Sequence, residues 1–249
     1  SCFTPPCRNG CPIEQDIPAY LAAVDEGRLG DALAIIAERN ALPFITGNLC
    51  PHPCGTKCMR AFYEPEGAAI RASKLKAARG GIDELLASIK AGKPEAVPGA
   101  EGKNVAVIGG GPAGMATAFF LTRAGAKVTV FERKESLGGV ARHIIPAFRI
   151  ADEDIDRDVE LCCAFGAEVK PGVEVASVEE LKAAGYTDVV VCTGAWAPGH
   201  VGLEYGEEID VLDFLGAAKS GEDLSRLGTD VVIVGAGNVV DADGFRYLA

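Results

Sequence analysis

The stretch NVAVIGGGPAGMATAFFLTRAGAKVTVFE, residues 104–132, constrains the fold more than any other part of the chain. A buried-strand pattern runs into three glycines. A helix-forming segment follows, and then a second apolar strand, KVTVF, which ends on Glu132. Strand, glycine turn, helix and strand in that order predict a βαβ unit with parallel strands. Gly109, Gly111 and Gly114 stand in G-x-G-x-x-G spacing. Gly109 permits the tight turn, Gly111 lets backbone approach a pyrophosphate, and Gly114 lets helix and strand pack closely. The helix N-terminus, with Pro112 and Ala113 in its first turn, offers free N–H groups and partial positive charge to phosphate. Glu132 ends the second strand, where an acidic side chain can accept both ribose hydroxyls and would repel a 2′-phosphate.

The motif alone fits FAD or NAD. Two later segments favour FAD. ESLGGVARHIIPAFRI places Gly138 and Gly139 where a loop can pass close to a flavin, and VVVCTGA ends a further strand at Thr193 and Gly194. Arg133 and Arg142 join these residues as cofactor-binding candidates.

The cysteines form a second pattern. Six of the nine fall in two short runs, Cys2, Cys7 and Cys11, then Cys50, Cys54 and Cys58. The net charge of −11 opposes nucleic acid or anionic membrane as a partner. No run of about 18 apolar residues suggests a membrane span, and no basic-then-apolar leader opens the sequence. The chain therefore reads as cytoplasmic, where clustered thiols point to metal or redox chemistry more than to disulfides. Zinc remains an alternative, although it favours C-x-x-C pairs. Cys162, Cys163 and Cys192 read as small core hydrophobes. His143 and His200 read as surface or loop residues, Trp196 as core packing, and IRASKLKAAR as a solvated helix face.

The expected organisation is a helical domain over 1–90, a Gly/Pro/Ala-rich linker over 91–102, and a nucleotide-binding domain over 103–229. Helices are predicted after a cap at Asp16, through DALAIIAERN, through IRASKLKAAR and through IDELLASIKAG. Further strands are predicted at 187–194 and 230–237. Residues 230–249 start as a second dinucleotide turn, with Gly235, Gly237 and Asn238 as candidates. They then read as the opening of an NAD(P)H domain, or as a strand that follows an intervening stretch.

The order GGGPAGMATA, LGG…IPAFR, CTGA and VVIVGAGN resembles the glutamate synthase small-subunit family, which includes the N-terminal part of dihydropyrimidine dehydrogenase. The wording NLCPHPCGTKC is similar to that of selenate reductase-like subunits. The resemblance covers residues 2 to about 238. It implies an α/β protein: an all-helical iron–sulfur domain, then a Rossmann-like FAD domain of the disulfide-reductase type, with most of the NAD(P)H domain outside this sequence. It implies one or two [4Fe–4S] clusters, FAD, and NAD(P)H in the full-length protein. Cys2, Cys7 and Cys58 would share one cluster, and Cys11, Cys50 and Cys54 the other. The family's first cysteine would fall just before Ser1. The second cluster's fourth ligand, often Glu or Gln in relatives, falls at Lys74. A protonated lysine cannot ligate iron. That cluster would then use water or His52, or be absent. The implied function is electron transfer between NAD(P)H, FAD and clusters, to or from an amidotransferase, reductase or ferredoxin-like partner, with no catalytic acid–base residue. The alternatives are an electron-relay or scaffold module without turnover, and a zinc-stabilised binding protein.

Overall fold

The computed structural model describes residues 2, 4–92, 97–197, 202, 208–228 and 230–234. Its first part is helical: α1 (Pro6–Asn9), α2 (Ile17–Asp25), α3 (Leu29–Ala37), α4 (Pro43–Leu49) and α5 (Ile70–Lys90). Asp16 caps α2 by accepting the Ala19 N–H at 3.3 Å, which satisfies one orphan donor of the first turn. Ile17, Tyr20, Ala23 and Val24 share its buried face.

The two helices expected over 70–92 are one. Gly80 and Gly81 lie inside α5 rather than ending it. A Cβ on Gly81 would stand 2.3 Å from the Leu29 carbonyl oxygen, and one on Gly80 2.3 Å from Leu29 Cδ1. The glycines are where α3 lies directly on α5, so close packing outweighs their poor helix propensity. Nor is IRASKLKAAR simply a solvated face, because Lys74, Ala77 and Ala78 are buried.

The second part alternates: β1 (Asn104–Ile108), α6 (Pro112–Arg123), β2 (Lys127–Phe131), α7 (Gly139–His143), α8 (Asp152–Cys163), β3 (Glu168–Lys170), α9 (Val178–Ala183), β4 (Asp188–Val191) and α10 (Val211–Ser220). The strands form one parallel sheet in the order β3-β2-β1-β4. Val107 pairs with Val130 on one side and Val190 on the other. Both faces of β1 are covered, which explains its unbroken apolar sequence. The fold is α/β, as expected.

The strand predicted at 230–237 does not form over 230–234. A strand exists through its ladder partners, and these residues do not join the sheet β3-β2-β1-β4. Val232 is 86% exposed. The remainder of that segment, with Gly235, Gly237 and Asn238, lies outside the described residues, as does His200.

The two parts share a core. Tyr20, Leu33 and Phe44 from the helices belong to one buried cluster with Met115, Phe119, Ile155 and Leu161. Helix α8 is the seam. Its Asp158 accepts the Phe44 and Ile45 N–H groups at the start of α4. Its Asp154 accepts from Asn48 at 2.9 Å and Arg79 at 2.8 Å, and Arg157 pairs with Asp83. Among the described residues no helix is long and apolar enough to cross a membrane.

Candidate cofactor sites

The glycine turn is built as its sequence requires. Gly109 has φ +104°, and a Cβ there would meet the Cys192 carbonyl at 2.4 Å. A Cβ on Gly114 would lie 1.9 Å from the Gly109 carbonyl oxygen, so helix α6 can begin over the turn only with glycine here. Gly111 is different: an added Cβ would find only Gly139 Cα, at 3.7 Å. Space is kept in front of the α6 N-terminus, where Pro112 opens the helix and Ala113 is exposed.

The Gly138–Gly139 loop returns to this turn. Gly138 N–H donates to the Gly110 carbonyl at 2.9 Å, and both glycines have positive φ. Glu132 is buried at the end of β2. Its Oε2 accepts from Gly110 N–H at 2.6 Å and its Oε1 from Lys134 N–H at 2.9 Å. Each oxygen keeps a lone pair for a further donor. The residues therefore fit a dinucleotide, with a phosphate path past Gly111 and an acceptor at Glu132.

Thr193 and Gly194 are exposed at the end of β4, beside this turn. Trp196 does not pack in the core. Its ring lies under Arg133 and Lys134, each 5.4 Å from the centroid. Arg142 turns the other way, joining α7 to the Leu137 carbonyl and to Asp156 on α8. His143 is half-buried rather than a surface residue; its Nε2 contacts the Ser136 carbonyl at 3.2 Å, and burial lowers its pKa. Cys162 is buried, with its thiol 3.5 Å from the Ala41 carbonyl.

All nine cysteines are free thiols. Three of them, drawn from both cysteine runs, share a pocket. Cys11, Cys50 and Cys54 line one pocket with Gln15, Tyr20, His52 and Lys74. Cys7 lies within electrostatic reach of Cys58 and Cys2. The left-handed His52, φ +43°, lets the Cys50–Cys54 loop double back, and its N–H donates to Cys50 Sγ at 3.3 Å. Gln15 Nε2 donates to Cys11 Sγ at 3.6 Å, and Ala68 N–H to Cys58 Sγ at 3.5 Å. Such donors favour thiolate over thiol.

Burial pushes the Cys54 thiol up, helped by Cys11 and Cys50, and burial likewise raises Cys7. At Cys11 burial also acts upward, but hydrogen bonds from Gln15 and Ile13 and the charge of Lys74 bring it below its ordinary value. Burial lowers Lys74, opposed by Cys50, Cys11 and Cys54. Among the described residues no three His, Cys, Asp or Glu side chains converge around a single ion. Thiols around a cubane stand farther apart than thiols about 2.3 Å from one zinc. Gln15, buried four residues beyond Cys11, was not singled out from sequence. Its spacing from Cys11 was the available signal.

Two families match parts of the chain. The one described as dihydropyrimidine dehydrogenase domain II, 4Fe-4S cluster, matches residues 1–78, which hold all six clustered cysteines and Lys74. The one described as NAD(P)-binding Rossmann-like domain matches 107–157, from the glycine turn through the Gly138–Gly139 loop. The glutamate synthase [NADPH] small chain of Mycobacterium tuberculosis is 33% identical over 95% of this chain and 51% of its own length. The chain is thus similar to glutamate synthase small chains over nearly its whole length, and to a 4Fe-4S domain over its first third. Protein YgfK of Escherichia coli K12 is 41% identical over 95% of this chain and 23% of its own length. The NADPH-Fe(3+) oxidoreductase subunit beta of Geobacter sulfurreducens is 32% identical over 95% of this chain and 36% of its own length. The chain thus spans from about a quarter to about half the length of these relatives.

Proposed function

We propose that this chain is the cluster-bearing and flavin-binding part of an NAD(P)H-dependent electron-transfer oxidoreductase. The observation that carries the reading is the pocket that Cys11 of the first run shares with Cys50 and Cys54 of the second, in one core with the helix that follows the dinucleotide turn. Bound FAD would supply the step between two-electron and one-electron chemistry, taking one hydride from NAD(P)H and releasing its two electrons singly to the iron–sulfur clusters.

The chain's own residues hold and tune these groups. Cys2, Cys7 and Cys58 bind one cluster, and Cys11, Cys50 and Cys54 the other. The N–H groups of Gln15, His52 and Ala68 stabilise the thiolates. The α6 N-terminus behind Gly111 receives the pyrophosphate, and the free lone pairs of Glu132 accept ribose hydroxyls. Pro51 and Pro53 stiffen the loop between the cysteines of the second run. Gly235, Gly237 and Asn238 begin the nicotinamide site of the full-length protein. No side chain is asked to act as nucleophile or general base. Electrons leave to a partner subunit of the amidotransferase, reductase or ferredoxin-like kind, in the reducing cytoplasm that thiolate ligands suit.

A second reading puts NAD(H) itself at the first turn. It is favoured by the NAD(P)-binding description of the family matched at 107–157. Glu132 would repel the extra phosphate of NADP there.

The test is a visible spectrum of anaerobically purified full-length protein, with iron, flavin and nicotinamide assayed on the same sample. Flavin bands over a broad iron–sulfur shoulder that dithionite bleaches are expected. Nicotinamide without flavin would favour the second reading. A colourless protein would overturn the redox assignment and leave a scaffold or zinc-binding role. NADPH oxidation with an artificial acceptor separates a working enzyme from a passive relay.

A further inference from the structure

Lys74 is buried, with 4% of its surface exposed, and it lines the pocket of Cys11, Cys50 and Cys54. Among the described residues no carboxylate lies within ion-pair distance of its ammonium. The groups that act on it most are the three thiols and Arg71, one turn earlier on α5. Arg71 is itself engaged, donating to the Cys50 carbonyl at 3.1 Å. Asp158 acts on Lys74 electrostatically, but it faces the Phe44 and Ile45 N–H groups and forms no ion pair with Lys74 among the described contacts. A buried ammonium without a partner is costly. An anion in the pocket of three thiols would offset that cost and keep the side chain charged.

We propose that Lys74 is the buried counter-charge of a cluster held by Cys11, Cys50 and Cys54, placed to stabilise its reduced state and not to ligate iron. Reduction adds one negative charge to a cluster. A fixed positive charge in a water-poor pocket favours that state strongly. Among the described residues the other group has no buried equivalent, because Arg8, Lys57 and Arg60 near it are exposed. The two clusters would then differ in potential, and electrons would collect on the one beside Lys74. Lys74 is a positioning and tuning residue in this arrangement. The inference rests on reading the six cysteines as cluster ligands.

Potentiometric titration followed by electron paramagnetic resonance tests it, on anaerobic full-length protein and its Lys74→Met, Lys74→Leu and Lys74→Arg variants. Two cluster signals are expected in the unaltered protein. In the Met and Leu variants one midpoint should move to more negative potential while the other stays. Arginine keeps the charge and does not deprotonate, so Lys74→Arg should hold the midpoint near its original value. If Lys74→Met fails to fold, Lys74→Leu gives the same readout. Two results would overturn the proposal. Unmoved midpoints in Met and Leu would deny the charge effect. Loss of one signal in Met, Leu and Arg alike would make Lys74 an iron ligand instead. Unaltered protein without iron would remove the cluster reading itself, and this inference with it.

Discussion

Asp158 Oδ2 accepts the backbone N–H of Ile45 at 2.7 Å, across 113 positions of sequence. Its other oxygen takes the Phe44 N–H at 3.0 Å. A carboxyl group on α8 thereby caps the N-terminus of α4, a role usually filled by the residue just before a helix. Leu42 occupies that place here and offers no side-chain cap.

Asp158→Asn should cost about 2 kcal/mol, because one buried backbone donor loses its acceptor. It should also change the pH dependence. Burial raises the Asp158 carboxyl to about 8, against the pull of the two N–H bonds. The folded protein then holds this proton after the unfolded chain has released it. The stabilisation is full below about pH 4 and is lost as pH rises through about 8. Urea denaturation at pH 5 and pH 8 should show a shallower decline in the variant than in the parent. Equal declines would deny the linkage.

Gly111 and Gly114 should separate binding from folding. Gly111→Ala puts a methyl only 3.7 Å from Gly139 Cα, so stability should move by less than about 0.5 kcal/mol. Dinucleotide content should fall sharply, since the methyl stands in the phosphate path. Gly114→Ala drives a methyl onto the Gly109 carbonyl and should cost about 1–3 kcal/mol. Denaturation midpoints and cofactor assays on both variants check this. A Gly111→Ala protein with full cofactor content would move the phosphate path elsewhere.

The cysteine groups predict which losses go together. Cys11→Ser or Cys54→Ser should remove one cluster signal, and Cys7→Ser or Cys58→Ser the other, with iron falling by half in each case. A double variant within a group should lose no more iron than a single one, and one across groups should lose nearly all. Iron assays on the single and double variants decide it. Pairs that add across the opposite partition would regroup the ligands.

Trp196 is the sole tryptophan of the chain and lies against Arg133 and Lys134, the residues after Glu132. Its fluorescence should change when a dinucleotide binds at the glycine turn. Removing the cofactor and adding it back should reverse the change. An emission spectrum indifferent to the cofactor would place the ligand away from the β2 end.

Much of this was legible in the sequence, for a local reason. The Asp16 cap, the strand-turn-helix around Gly109 and the buried strands depend on neighbours within a few residues. The continuity of α5 was not legible, because Gly80 and Gly81 break helices unless another chain segment needs their missing side chains, and Leu29 supplies that need from fifty positions away. Helix α8 escaped notice for a similar reason. DEDIDRDVELCC looks like solvated surface, yet Asp154 and Asp158 are buried on partners in α4 and α5. The grouping of cysteines came from family resemblance; their spacing alone left it open. Over 230–234 the valines advertised a strand, but a pattern of side chains cannot supply a partner.

The core common to both parts has a mechanical consequence. With Phe44, Tyr20, Met115 and Ile155 in one cluster, and α8 bonded to α4 and α5 along its length, the helical part is no arm swinging on a tether. Separating it would expose apolar surface and strip the cap from α4. If a cluster and a dinucleotide bind as proposed, electrons passing between the thiol pocket and the glycine turn would cross a gap held fixed by that core. Their rate would follow from distance and driving force, with no waiting for one body to find the other.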